Sequence, residues 1–167
     1  INNGYLDNML VSSNRGSFYR VGYINSVINS VTTYSAYMYK TNSNLDSIFF
    51  KTYPPDTGNV RVFESAVYYK DHIYAVGTRT YVGSYRMMMV KLDTLGNLIW
   101  EKTYPVPGNA VHAIAQCIAV TADSGFAILG QFNNNVSLGG THDLRLLKLD
   151  SNFNEQWSKY IFKTPVE

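Results

Sequence analysis

Short apolar runs, alternating in some places and continuous in others, recur along the 167-residue chain and are separated by Gly, Asn, Asp and Pro. None keeps the 3.6-residue period of an amphipathic helix, so the pattern predicts strands and turns throughout. The predicted strands are Tyr5 to Ser12, Ser17 to Asn25, Tyr34 to Lys40 and Ser47 to Tyr53; Val62 to Lys70, His72 to Thr80, Tyr85 to Leu92 and Leu98 to Tyr104; and Val111 to Thr121, Gly125 to Asn133, Asp143 to Leu149 and Gln156 to Phe162. Two runs, Met87 to Leu92 (MMMVKL) and Leu144 to Leu149 (LRLLKL), are apolar at nearly every position. A sheet with one wet face alternates apolar and polar residues, so both faces of these strands are expected to be covered.

The strands fall into an internal repeat. Phe18 to Gly22 (FYRVG), Ile73 to Gly77 (IYAVG) and Phe126 to Gly130 (FAILG) each place a large apolar residue four positions before a glycine, and the glycines are 55 and 53 residues apart. A second block begins at Lys40, Lys91 and Lys148; without gaps it aligns Asn42 with Asp93 and Asp150, Phe49 with Trp100 and Trp157, and Lys51 with Lys102 and Lys159. A fixed period of tens of residues signals stacked supersecondary units. Four antiparallel strands in a period of about 50 residues predict a β-propeller. The fold class is therefore all-β, with about three four-stranded blades at about 1–55, 56–107 and 108–167. A β-sandwich predicts no equal-length repeat with a fixed internal motif. Trp100 and Trp157 have the bulk to fill the gaps between twisted sheets.

Three blades leave two outer sheet faces of about 350 Å² each, near the size of the largest apolar patches on monomers. Closed propellers have roughly four to eight blades. The chain is therefore expected to belong to a larger propeller of roughly seven or eight blades, or to close a ring by self-association. It starts at Ile1 and not at Met, which suits a processed or truncated chain.

At Asp123 to Phe132 (DSGFAILGQF), at the third-strand endings VKLD and LKLD and at the turn Asp93 to Tyr104 (DTLGNLIWEKTY), the sequence resembles the PQQ-like, quinoprotein-type propeller repeats of secreted and cell-surface proteins of Bacteroidota. Many such proteins are exported by the type IX secretion system. The resemblance covers nearly the whole chain; Asn42, Leu45 and Phe49 depart from it in the first repeat and Phe153 in the third. It implies a propeller outside the cytoplasm, extracellular or associated with the outer membrane. It does not imply a quinone, because three blades cannot surround a planar cofactor.

The charge balance, 14 basic against 12 acidic residues for a net +2, lacks the basic cluster that phosphate backbones attract, so nucleic acid is not an expected partner. No apolar run nears the roughly 20 residues of a membrane-spanning helix. The single cysteine, Cys117, has no internal partner for a disulfide and is expected to be a small buried hydrophobe on its strand. His72, His112 and His142 lack metal-ligand spacing and are expected at the surface or in turns. Asp143, beside His142 and the loop Asn133 to Asn135, offers oxygen ligands, but without a calcium-loop spacing it is read as part of a solvated loop. Asp93 and Asp150 recur with their turn and are expected to bond the backbone N–H groups that follow them. Lys91 and Lys148 are expected to serve strand edges or the rim.

Glu64 and Glu101 have no partner that the sequence places, so no glycosidase-type carboxylate pair follows. No nucleophile-elbow, phosphate-loop or dinucleotide motif is present. Asp46–Ser47–Ile48 and Asp93–Thr94–Leu95 match a short O-glycosylation pattern in one exposed turn of successive repeats, and Asn135–Val136–Ser137 is an N-glycosylation sequon. Tyr23, Arg79 and Gln131, just past the repeated glycines, are expected to line one rim.

No residue is assigned to catalysis, to a cofactor or to a metal. The expected function is that of a noncatalytic propeller module of a secreted or cell-surface protein, binding a protein or glycan or serving a surface or secretion assembly. The alternative is a fragment of a propeller enzyme, hydrolase or quinoprotein oxidoreductase, with its active residues elsewhere.

Overall fold

A computed structural model describes residues 5–12, 16–28, 30–56, 58–81, 84–105, 112–133 and 142–161. The described residues are all-β, in three successive antiparallel four-stranded units. The first holds β1 (Tyr5–Ser12), β2 (Phe18–Ile28), β3 (Val31–Thr41) and β4 (Ser47–Tyr53). The second holds β5 (Arg61–Tyr69), β6 (His72–Tyr81), β7 (Ser84–Leu92) and β8 (Leu98–Tyr104). The third holds β9 (His112–Val120), β10 (Phe126–Asn133), β11 (His142–Leu149) and β12 (Glu155–Ile161). Each strand pairs with the next in sequence within its unit. In the first unit, β2 and β3 run past the expected Asn25 and Tyr34 until Ile28 faces Val31, because the β-branched Val31–Thr32–Thr33 run extends the ladder.

One backbone contact recurs between successive units. Tyr85 at the start of β7 lies parallel to His112 at the start of β9, and Tyr34 bridges Val60 in the same way one unit earlier.

The repeated glycines hold equivalent places because each faces the same irregularity in the neighbouring strand. Each lies in the second strand of its unit, opposite a β-bulge in the first: Gly22 beside the break between Asp7 and Met9, Gly77 beside Phe63 and Ser65, Gly130 beside Ala115 and Cys117. The extra residue is Asn8, Glu64 or Gln116. The bulge pushes a carbonyl against the neighbouring strand: a Cβ on Gly77 would stand 2.0 Å from the Val62 oxygen, and one on Gly130 2.2 Å from the Ile114 oxygen. The aligned lysines and aromatics are cross-strand partners: Lys40 faces Phe49, Lys91 faces Trp100 and Lys148 faces Trp157, each beside a second register shift.

Two cores separate the units. The first gathers Tyr19, Val21 and Met38 from the first unit against Phe63, Ile73, Met88, Val90 and Leu92 of the second. The other sets Tyr74, Val76, Met87, Met89 and Tyr104 against Ala115, Ile118, Phe126, Leu147 and Leu149 of the third. The MMMVKL strand therefore supplies alternate side chains to both cores, as its unbroken apolarity predicts. The LRLLKL strand does so on one side only; Leu144 is 40% exposed on the other.

Two side chains lie where their sequence positions do not predict. Cys117 is exposed, not buried. Alternation from Ala113 and Ala115 would bury it, but the bulge at Gln116 inverts the parity, so that Ile118 faces the core in its place. Trp157 is 44% exposed, because it lies on the outer face of the third unit, whereas its counterpart Trp100 packs in the gap with its ring 4.5 Å from Phe153.

Candidate functional site

A hollow of about 300 Å³ opens where the first strands of the units converge. It is lined by Tyr23, Tyr34, Val60, Val62, Glu64, Thr78, Tyr85 and Ile114. Repetition builds it: Tyr34 and Tyr85 lie in the third strands of their units, each three residues before the partner of the repeated glycine, Val62 and Ile114 lie in first strands two residues before a bulge residue, and Tyr23 and Thr78 follow the repeated glycines. Glu64 is the bulge residue of β5, aimed there by the extra residue in its strand. The Tyr23 and Tyr34 rings meet edge to face at 5.9 Å, and Tyr85 lies 4.6 Å from the His112 ring.

Burial raises the Glu64 carboxyl above the usual carboxylate range. Burial first, then the Glu64 charge and Tyr34, raise the Tyr23 hydroxyl. The hollow thus presents aromatic faces, phenolic hydroxyls, one carboxylate and the Thr78 side chain. That donor set can stack on an apolar ring face and hydrogen-bond its hydroxyl edge. One carboxylate alone does not make the acid and base pair of a glycosidase.

Of the three residues expected on a rim, Tyr23 lines the hollow, but Arg79 does not. The residue directly after Gly77 is Thr78, and it takes that place. Arg79, one step on, points to the opposite face, where it and Arg61 both bind Glu101, and where Arg79 also reaches Asp56 at 2.6 Å. Glu101, unplaced by sequence, is the anchor of this ion cluster. Gln131 pairs with Ile114 in the ladder and is half-buried.

The histidines serve separate ends. His72 is the first residue of β6, just past the Lys70–Asp71 turn, and its Nδ1 lies 2.7 Å from the Lys70 carbonyl oxygen. His112 is half-buried at the contact between units, where its Nδ1 accepts the Tyr85 N–H at 3.2 Å. The His142 side chain, Asn134, Asn135 and the sequon lie outside the described residues. Asp143 is not part of a solvated loop: it is buried on β11, opposite Phe132. Among the described residues, no group of three or more His, Cys, Asp and Glu side chains is arranged to hold a metal ion.

The recurring turn behaves as expected at Asp93 and Asp150. Asp93 Oδ1 accepts the Leu95 and Asn97 N–H groups at 2.8 Å, and Asp150 Oδ1 accepts those of Asn152 and Asn154 at 2.8 Å. Asn42 does the same for Asn44 and Asp46 at 2.9 Å. The tip of each turn has a left-handed backbone, with φ of 68° at Leu45, 76° at Gly96 and 65° at Phe153. Lys148 grips Asp123 at 2.8 Å, and Lys91 lies over the Tyr74 ring. Ser47 is exposed, but Thr94 is half-buried at the other end of its turn and its carbonyl accepts from Lys40 Nζ at 3.1 Å, so the two glycosylation candidates are not equivalent.

The chain matches no family model, and a search of curated proteins finds no relative of it.

Proposed function

We propose that the three units are consecutive blades of a β-propeller, and that the chain is a noncatalytic binding module of a secreted or cell-surface protein that holds a glycan in the tyrosine-lined hollow. The observation that carries this reading is the convergence of Tyr23, Tyr34, Tyr85 and Glu64 on one open hollow of about 300 Å³, built from the same repeat positions in successive units. A sugar ring offers an apolar C–H face to tyrosine rings and vicinal hydroxyls to a carboxylate. The propeller reading draws its support from the units' common register, bulge and turn. An exported location rests on the resemblance of the repeats alone.

The enzyme reading has one observation in its favour: burial makes the Glu64 carboxyl hold its proton more tightly than usual, which suits a general acid. The lining of the hollow supplies no second carboxylate to act with it, so binding is the better-supported function. The test is a saccharide panel followed by calorimetry. A specific oligosaccharide is expected to bind, and Tyr34→Ala and Glu64→Gln are each expected to weaken it about 10-fold or more. Binding that neither substitution weakens, or turnover of a bound saccharide, sinks the proposal.

A further inference from the structure

The junction between units is made twice inside the chain by the same parts. At the first, the tip of the second unit's turn, Gly96, seats against Met38, Phe49 and Lys51 of the first unit. Lys51 Nζ donates to Asn97 Oδ1 at 2.8 Å, and the Tyr53 hydroxyl donates to the Gly96 carbonyl at 2.8 Å. At the second, Phe153 seats against Trp100; Lys102 Nζ donates to the Phe153 carbonyl at 2.8 Å and to Asn154 Oδ1 at 3.3 Å, and the Tyr104 hydroxyl donates to the same carbonyl at 3.2 Å. Each junction is a turn tip in a notch made by an apolar residue, an aromatic and a lysine.

Both halves of a third junction are present, and among the described residues neither meets the other. The notch recurs on the third unit, where the ladder places Leu146 opposite Lys159 as it places Met38 opposite Lys51 and Met89 opposite Lys102, with Trp157 as the aromatic. Around it, positions that are buried in the other units lie open. Leu129 is 37% exposed where Val76 is 0%, Leu144 is 40% where Met87 is 1%, and Ile161 is 56% where Tyr104 is 2%. The tip recurs on the first unit as Leu45, 66% exposed with the same left-handed backbone, and Asp46 stands where Asn97 and Asn154 accept the lysine. Beside Leu45 a hollow of about 220 Å³, lined by Phe18, Arg20, Tyr39 and Thr41, faces outward.

We propose that a second copy of this chain docks head to tail, the Leu45 tip of one copy entering the Trp157, Leu146 and Lys159 notch of the other, at both ends of the pair. The inference rests on the propeller reading and extends it to a six-unit ring, within the roughly four to eight units that close a propeller. The charges suit a second copy in particular: the notch offers Lys159, and the tip offers the carboxylate of Asp46 where the internal junctions have a neutral amide. Two junctions of about 350 Å² per side bury on the order of 1,400 Å² in all, within the range of about 1,200 to 2,000 Å² for stable interfaces. A head-to-tail contact that closes forms a ring and not a fibre.

Light scattering coupled to size exclusion tests this across micromolar to submillimolar concentrations. The wild-type chain is expected at twice 18.9 kDa. Trp157→Asp is expected to raise the dissociation constant at least ~30-fold. Lys159→Asp, fully at the surface, is expected to dissociate the pair, and adding Asp46→Lys is expected to restore it. A folded wild type that stays at 18.9 kDa, a mass beyond two copies, or a pair indifferent to Trp157→Asp and to the charge exchange overturns the proposal while leaving the propeller reading standing. If Lys102→Asp, at the internal junction, leaves thermal unfolding unchanged, the stacked-unit reading fails and this inference falls with it.

Discussion

Gly77 and Gly130 show how one residue fixes the close approach of two strands. With a carbonyl oxygen 2.0 to 2.2 Å from where a Cβ would stand, alanine cannot fit without moving the backbone of the bulge. Gly77→Ala is expected to destabilise the chain by about 3 kcal/mol in urea denaturation, a large effect for one methyl group. Acid sensitivity is also set residue by residue. Hydrogen bonds from Lys148 first, then from the Thr121 hydroxyl and the Gly125 N–H, hold the Asp123 carboxyl well below the usual carboxylate range. At Asp150 the Asn154 N–H is the main cause, opposed by burial and aided by the Asn152 N–H. A carboxylate whose folded pKa is depressed contributes stability that is full above its unfolded value of about 3.9 and is lost as pH falls toward the folded value. The urea midpoint is therefore expected to drop between roughly pH 5 and pH 2, and Asp123→Asn to flatten that drop. A midpoint that rises on acidification contradicts this.

At the scale of elements, the turn between third and fourth strands recurs with one backbone and three different tips. Phe153 holds a left-handed φ that costs a side chain about 1 kcal/mol, which glycine would relieve. Its ring also packs on Trp100 at 4.5 Å, Phe126 at 5.6 Å and Tyr74 at 5.7 Å, and losing that packing costs about 3 kcal/mol. Packing wins, so Phe153→Gly is expected to destabilise by about 2 kcal/mol although Gly96 serves the same place one unit earlier. Calorimetric unfolding decides the sign. The turns and strands were legible because Asn42, Asp93 and Asp150 mark the turn and the apolar runs keep strand length; β1, β4 and β8 fall at their expected ends. The bulges were not legible. A single polar residue such as Glu64 or Gln116 inside an apolar run looks like ordinary alternation, yet it inverts every side chain beyond it, which is why Cys117 faces out. The hollow was half legible: Tyr23 follows its glycine in sequence, but Glu64 enters only through its bulge, and Tyr85 through a contact between units.

At the scale of the molecule, unit identity depends on neighbours. The second unit is covered on both faces, and its strand β7 feeds Met87 and Met89 to one core and Met88, Val90 and Leu92 to the other. The third unit, with the same ladder, leaves Trp157 and Leu144 in water on its outer face. Stability should therefore follow coverage and not strand composition, as in repeat proteins where each unit is stabilised by its contacts with adjacent ones. Hydrogen–deuterium exchange of the backbone amides measures this directly, strand by strand. In the Lys159→Asp chain, which is expected to remain a single copy, face-to-face stacking predicts that β6 and β7 exchange slowest in the chain and open together, while β12 exchanges far faster than its counterpart β8. Protection in β6 and β7 no greater than in β10 and β11, or equal rates in β8 and β12, would contradict it.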